Sequence, residues 1–196
     1  MSDETAEALR ARIAALEAAL AGAEQRAAGF EAMAHEDPMT GILNRRGFAR
    51  EVQRAIAFNA RYGTPVSLIV FDLDGLKAVN DRRGHEAGDA FIKGVARLLA
   101  ERLRASDIVA RIGGDEFAAL LWHAEPVAAL ARARALQTEL DGTAVAYGHA
   151  CSCVEISLRV SVGVAPLTAE GGVEAALARA DEALYADKAA RGGARR

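Results

Sequence analysis

The sequence predicts an α/β domain of the α+β kind, with helices flanking a mainly antiparallel sheet, preceded by an N-terminal coiled-coil helix. Three observations carry this. Larger apolar residues in the first 36 positions recur at alternating steps of three and four. Beyond residue 37, stretches of helical period alternate with short apolar runs, as strands and helices around one sheet require. The 196 residues, 52% hydrophobic and 26% charged, suit one packed domain plus an appendage.

The stripe Ala6, Leu9, Ile13, Leu16, Leu20, Ala23, Ala27, Phe30 and Ala34 occupies a and d positions. An amphipathic helix lying on its own domain would use the same stripe, but four heptads in register favour a parallel two-stranded coil. Gly22 and Gly29 weaken its second half, each by about 1 kcal/mol relative to Ala. Seven acids against three bases give residues 1–36 a charge of −4, leaving +1 for the remainder. The linker is residues 35–41, where Asp37-Pro38 breaks the helix because a residue before proline is pushed out of the α region.

Helical spacing then runs over 47–62 and stops at Gly63. The unbroken apolar run 66–71 reads as a strand buried on both faces. A second helix is expected over 89–103, and two short strands joined by Gly113-Gly114 follow it. A helix over about 126–140, a strand over about 155–164 and a helix over about 173–190 complete the domain.

Composition excludes several function classes. A net charge of −3 does not suit a basic nucleic-acid coat, so no nucleic-acid partner is expected. No run reaches the roughly 18 apolar residues of a bilayer span. Asp3 and Glu4 stand where a basic secretory leader would begin, giving the expectation of a cytoplasmic protein without a membrane partner. Cys151 and Cys153 are too close in sequence for a long-loop staple and read as packing residues. His35, His85, His123 and His149 show no metal spacing.

The chemistry concentrates in two places. In residues 71–81, a buried strand runs directly into acids, a glycine and a lysine; at 113–116, two glycines are followed by Asp115 and Glu116. Carboxylates at strand ends beside small residues supply the hard oxygen ligands of an octahedral Mg²⁺ site with room for phosphates. The glycines leave space for a phosphate and allow positive φ in the hairpin. If the two strands are neighbours, Asp72 and Asp115 converge into a two-metal clamp for in-line attack on phosphorus.

At these residues the sequence resembles the diguanylate cyclases, the GGDEF family, whose signature stands unaltered at 113–117. The resemblance runs over about 37–191. It includes D-P-M-T-G-I-L-N-R-R at 37–46, D-L-D-G-L-K-A-V-N-D-R-R-G-H-E-A-G-D at 72–89, S-V-G-V-A at 161–165 and A-D-E-A-L-Y-A-D-K at 180–188. It implies a palm-like nucleotidyl cyclase fold with a central five-stranded sheet, and together with the heptad stripe it divides the chain into a dimerisation coil over 1–36 and a cyclase domain over 37–196. It further implies a homodimer, held by the coil, that binds one GTP per subunit and makes cyclic di-GMP and two pyrophosphates.

Carried over by position, Asp72, the Leu73 carbonyl and Asp115 would hold Mg²⁺, two ions per site, with Mn²⁺ as an alternative. Asp115 would also accept the 3′-hydroxyl proton, with Glu116 assisting. Asn80 and Asp89 would read guanine, which offers the hydrogens that Asp89 accepts where adenine offers a lone pair. Lys77, the amides near Gly75 and Leu76, and Lys188 would hold the β- and γ-phosphates; Asp74 reads as structural. Two departures stand out. Leu76 replaces the family's phenylalanine, and the arginine usually four residues after the last-helix lysine is absent. Arg191 lies one residue earlier, about 100° round the helix, as a partial substitute. Arg104 and Asp107 match the family's R-x-x-D inhibitory motif, five residues before the signature, implying that cyclic di-GMP is an inhibitor as well as the product. The alternative reading is a catalytically weak GGDEF domain that binds cyclic di-GMP or GTP.

Overall fold

The computed structural model describes residues 3–148, 154–168 and 170–191. The chain divides into two compact units, Met1–His35 and Glu36–Arg196. The first is helix α1 (Asp3–His35), on which Leu9, Ile13, Leu16, Leu20 and Phe30 are exposed.

The second unit begins with β1 (Leu43–Asn44) and α2 (Arg45–Tyr62). Asn44 starts α2 by accepting the amides of Arg46 and Gly47, and Gly63, at φ 65°, ends it in the left-handed region that favours glycine. Then follow β2 (Val66–Leu73), α3 (Leu76–Arg83), α4 (His85–Arg102), β3 (Ile108–Arg111), β4 (Glu116–Trp122) and α5 (Pro126–Asp141). The chain continues through β5 (Ala144–Tyr147), β6 (Val154–Ser157), β7 (Val160–Pro166) and α6 (Gly172–Ala190).

Five strands form the main sheet in the order β1-β3-β4-β2-β7, antiparallel except for the β1–β3 pair, so the expected five-stranded, mainly antiparallel architecture is observed. Strand β2 is buried along its whole length, as its unbroken apolar run requires. Its residues alternate between two cores. Ile69, Phe71 and Leu73 pack with residues of α4 and α5, whereas Leu68 and Val70 pack with residues of α2 and α6.

Several parts differ from the sequence reading, among them β1 and β5, neither of which is expected from it. The single strand expected over 155–164 is two strands in different sheets: β6 pairs with β5, and β7 lies beside β2. The chain turns at Leu158 and Arg159, where the Leu158 amide donates to Thr143 and the Arg159 carbonyl accepts from Asp74. Helix α3 is not expected from the sequence, because only Leu76 and Val79 of its eight residues pack, partly buried, against the core, too short a stripe to show a period. Helix α4 begins at His85, four residues before the periodic pattern. Cys151, Cys153 and His149 lie outside the described residues. Among the described residues, no helix is long and apolar enough to cross a membrane.

Candidate active site

The antiparallel register places Asp72 opposite Glu116 on β4 and opposite Ser161 on β7. Asp72 is only 4% exposed. The next residue, Leu73, donates its amide to the Asp115 carbonyl at 2.9 Å, tying the signature turn to the end of β2. The two acidic strand ends therefore meet.

The turn is closed by the amides of Ile112 and Gly113, which both donate to the Glu116 carbonyl, at 2.9 and 3.2 Å. A Cβ at Gly113 would stand 2.4 Å from Glu116 Oε2, so the carboxylate folds over this glycine. Neither Gly113 nor Gly114 has positive φ, contrary to the hairpin expectation. A side chain at 113 would displace the Glu116 carboxylate, and backbone handedness does not call for glycine there.

Arg111 braces the turn. Its Nη2 donates to the Gly114 carbonyl at 2.8 Å, and its Nη1 lies 3.2 Å from Asp37 Oδ2. Asp37 also accepts the amide and hydroxyl of Thr40, at 2.9 and 2.7 Å. Burial pushes the Asp37 carboxyl up, but these hydrogen bonds and the Arg111 charge outweigh it, and the group titrates below its ordinary range. In the sequence, residues 35–41 read only as a linker, and the brace is not apparent there. The Asp-x-x-Thr spacing of a self-bonded turn was the available signal.

Helix α6 brings Lys188 to the same place, with Nζ 2.6 Å from Asp72 Oδ1. Gly163 on β7 makes that approach possible. A Cβ there would lie 2.1 Å from the Ala180 carbonyl oxygen and 2.5 Å from the Leu184 nitrogen. Asp74 turns to the Ser161 hydroxyl, which donates to its two carboxylate oxygens at 2.9 and 3.1 Å.

Two residues after β2, Gly75 takes φ 85° and starts α3. Leu76 packs against the core, while Lys77 is exposed. Asn80 Oδ1 is buried and has no hydrogen-bond partner. It presses on Gly88, where a Cβ would stand 1.9 Å away. Asn80 is thus held at the residue preceding Asp89, which is half-buried.

Arg104 and Asp107 lie at the other end of β3 from the signature turn. Asp107 Oδ2 accepts the Arg104 amide at 3.2 Å, and Oδ1 accepts the Trp122 amide at 3.3 Å. Both residues line a cavity of about 310 Å³ with Trp122, His123, Ala128 and Arg132. Arg191 is engaged elsewhere: its guanidinium donates to Asp141 and to the Val160 carbonyl at the outer edge of β7.

Among the described residues, no three His, Cys, Asp or Glu side chains form a cluster that could hold a metal ion. An octahedral Mg²⁺ site does not need three, because phosphates and water complete its shell. The Lys188 ammonium on Asp72 shows that this buried carboxylate accepts a cation.

The model for the GGDEF domain of diguanylate cyclases matches residues 34–194. Diguanylate cyclase DosC of Escherichia coli K12 is 35% identical over 152 residues, covering 78% of this chain and 32% of DosC. The chain thus spans about a third of the length of that curated relative. The solved coiled coil and GGDEF domain of DgcB from Caulobacter crescentus, in complex with c-di-GMP, superposes with a TM-score of 0.82 at 27% identity, covering 94% of this chain and 95% of that one. A sensory box/GGDEF family protein from Caulobacter crescentus CB15 superposes with a TM-score of 0.71 at 33% identity, covering 80% and 99%.

Proposed function

Because the chain belongs to the family of diguanylate cyclase GGDEF domains, we propose that it condenses two GTP molecules into cyclic di-GMP and two pyrophosphates, acting in the cytoplasm as a homodimer. The observation that carries this reading is the meeting of Asp72, the signature turn and Lys188 at one end of β2. Acids at two converging strand ends can hold a metal and accept a hydroxyl proton, as transfer to phosphorus requires.

The guanine would lie between α3 and α4. The unpartnered Asn80 oxygen suits a guanine amino hydrogen, and Asp89 suits N1–H and N2–H. Lys77, the backbone amides at Gly75 and Leu76, and Lys188 would hold the β- and γ-phosphates. Lys188 would exchange Asp72 for the phosphates as nucleotide enters. Arg191 stays at the edge of β7 in this reading, so the phosphate grip rests on the lysines.

Asp72, Asp115 and the Leu73 carbonyl would hold Mg²⁺, two ions per site, or Mn²⁺, with Glu116 supporting them. Bound there, the metal would polarise the α-phosphate and favour ionisation of the attacking hydroxyl. Asp115 accepts the proton of the 3′-hydroxyl. The freed oxygen bonds to the α-phosphorus of the GTP on the partner domain, the α–β phosphoanhydride bond breaks, and pyrophosphate leaves. A second, symmetric transfer closes the ring. The exposed stripe of α1 would supply the partner domain by pairing with a second copy.

Replacing Asp115 with Asn removes a metal ligand and the proton acceptor while keeping the side chain's size. Synthesis should fall by orders of magnitude with the melting temperature unchanged, as read by product chromatography and thermal unfolding. Near wild-type turnover would remove Asp115 from the chemistry.

Cyclic di-GMP would inhibit by binding at Arg104 and Asp107, with the guanidinium taking guanine or phosphate. Arg104→Ala should then keep the initial rate and lose product inhibition. Equal inhibition of mutant and parent would place the inhibitory site elsewhere.

A further inference from the structure

The last turn of α6 carries a buried acid for which the proposed chemistry has no use. Asp187 is 6% exposed and immediately precedes Lys188. Its Oδ2 accepts the Val162 amide at 2.9 Å and Gln137 Nε2 at 2.8 Å, and its Oδ1 accepts the Arg134 guanidinium. Gln137 is buried as well, and its Nε2 also reaches the Val160 carbonyl at 2.9 Å. These contacts lie along β7, the edge strand of the sheet, on the side away from β2. One carboxylate therefore joins α5, α6 and the free edge of β7.

The register shows what this anchor aligns. Val162 pairs with Phe71, and its neighbour Ser161 pairs with Asp72. Fixing Asp187 on the Val162 amide sets the height and rotation of α6 against the end of β2. Lys188, about 100° further round the helix, then lies on Asp72 at 2.6 Å. Arg191 pins the next turn by joining Asp141 to the Val160 carbonyl.

We propose that Asp187, held by Gln137, Arg134 and the Val162 amide, is the positioning residue that orients Lys188 toward the terminal phosphates of the nucleotide. This rests on the reading of Lys188 as a phosphate ligand. A lysine has four rotatable bonds and loses rotamer entropy when ordered, so a fixed helix beneath it determines how much affinity remains. Asp187 touches no substrate. Its effect passes wholly through Lys188.

The test compares binding of 3′-deoxy-GTP, which lacks the attacking hydroxyl, with binding of GMP, which lacks the β- and γ-phosphates. Calorimetry on the full chain with Mg²⁺ present reads both. Asp187→Ala should weaken 3′-deoxy-GTP about tenfold and leave GMP within about twofold. In a Lys188→Met background the same substitution should add nothing further, because the group it orients is gone. Asp187→Asn keeps the volume and one acceptor oxygen and should give an intermediate loss; it is read in the same way if the alanine variant does not fold.

A lowered melting temperature with unchanged 3′-deoxy-GTP affinity would overturn the proposal, as would equal losses for both ligands or additivity with Lys188→Met. A different result would mark failure of the underlying reading. Lys188→Met alone would then leave 3′-deoxy-GTP affinity intact, and the proposal would fall with the phosphate role of Lys188.

Discussion

Asp37 and Asp187 are carboxylates that the domain holds ionised against the cost of burial. For Asp187, burial pushes the carboxyl up, but hydrogen bonds from Arg134, the Val162 amide and Gln137, together with the Arg134 charge, more than reverse it. Asp37 shows the same balance with Thr40 and Arg111. Both folded-state values are depressed below the unfolded value of about 3.9. The stability they contribute is therefore present above that pH and lost as pH falls through the folded-state values. The melting temperature should hold steady near neutrality and drop below about pH 4. Asp37→Asn should melt lower at pH 7 and show a shallower acid limb, since one of the titrating groups is gone; an identical acid limb would remove Asp37 from the account. Neither acid's role was legible in the sequence. Asp37 meets Arg111 across 74 residues, and Asp187 meets Gln137 across 50. Asp72, Asp115 and Glu116 stood out because they sit at the ends of recognisable strands in recognisable motifs.

At the scale of elements, α6 against β7 decides whether the site exists. The Cβ of an alanine at 163 would meet backbone atoms of Ala180 and Leu184, which cannot turn aside as a side chain can. Gly163→Ala should cost at least about 2 kcal/mol in denaturant unfolding and should reduce GTP binding by displacing Lys188. A change under about 0.5 kcal/mol would show that the helix moves away at no cost. The elements legible in the sequence were those with a period. Strand β2 showed an unbroken apolar run, and helices α2, α4, α5 and α6 showed helical spacing. Those missed were β1, two residues long, β5, four residues with only one buried, and α3, none of whose residues is fully buried. The turn between β6 and β7 was hidden because Leu158 is itself buried and apolar and continues the strand pattern.

At the scale of the whole molecule, two transfers between facing nucleotides need two domains. In the proposed mechanism the coil raises the effective concentration of the second domain. Leu9, Ile13, Leu16 and Leu20 are each more than half exposed on α1, and the proposed pairing with a second copy would bury them. Replacing Ile13 and Leu20 together with Asp sets like charges across the seam. GTP binding per chain should survive, while synthesis at low protein concentration should fall and become second order in enzyme. Concentration-independent specific activity in a variant shown monomeric by sedimentation would refute the facing-dimer mechanism. The heptad pattern sets the first 36 residues apart from the rest, and the structure makes Met1–His35 a unit of its own, whereas the brace between Asp37 and Arg111 has no such signal in the sequence. The central claim is tested most directly by incubating the purified protein with GTP and Mg²⁺ and resolving the products by chromatography. Cyclic di-GMP and pyrophosphate should appear in a ratio of one to two, at the expense of GTP. GTP left intact by a folded, dimeric protein that still binds cyclic di-GMP would contradict it, and would make the chain a binding module.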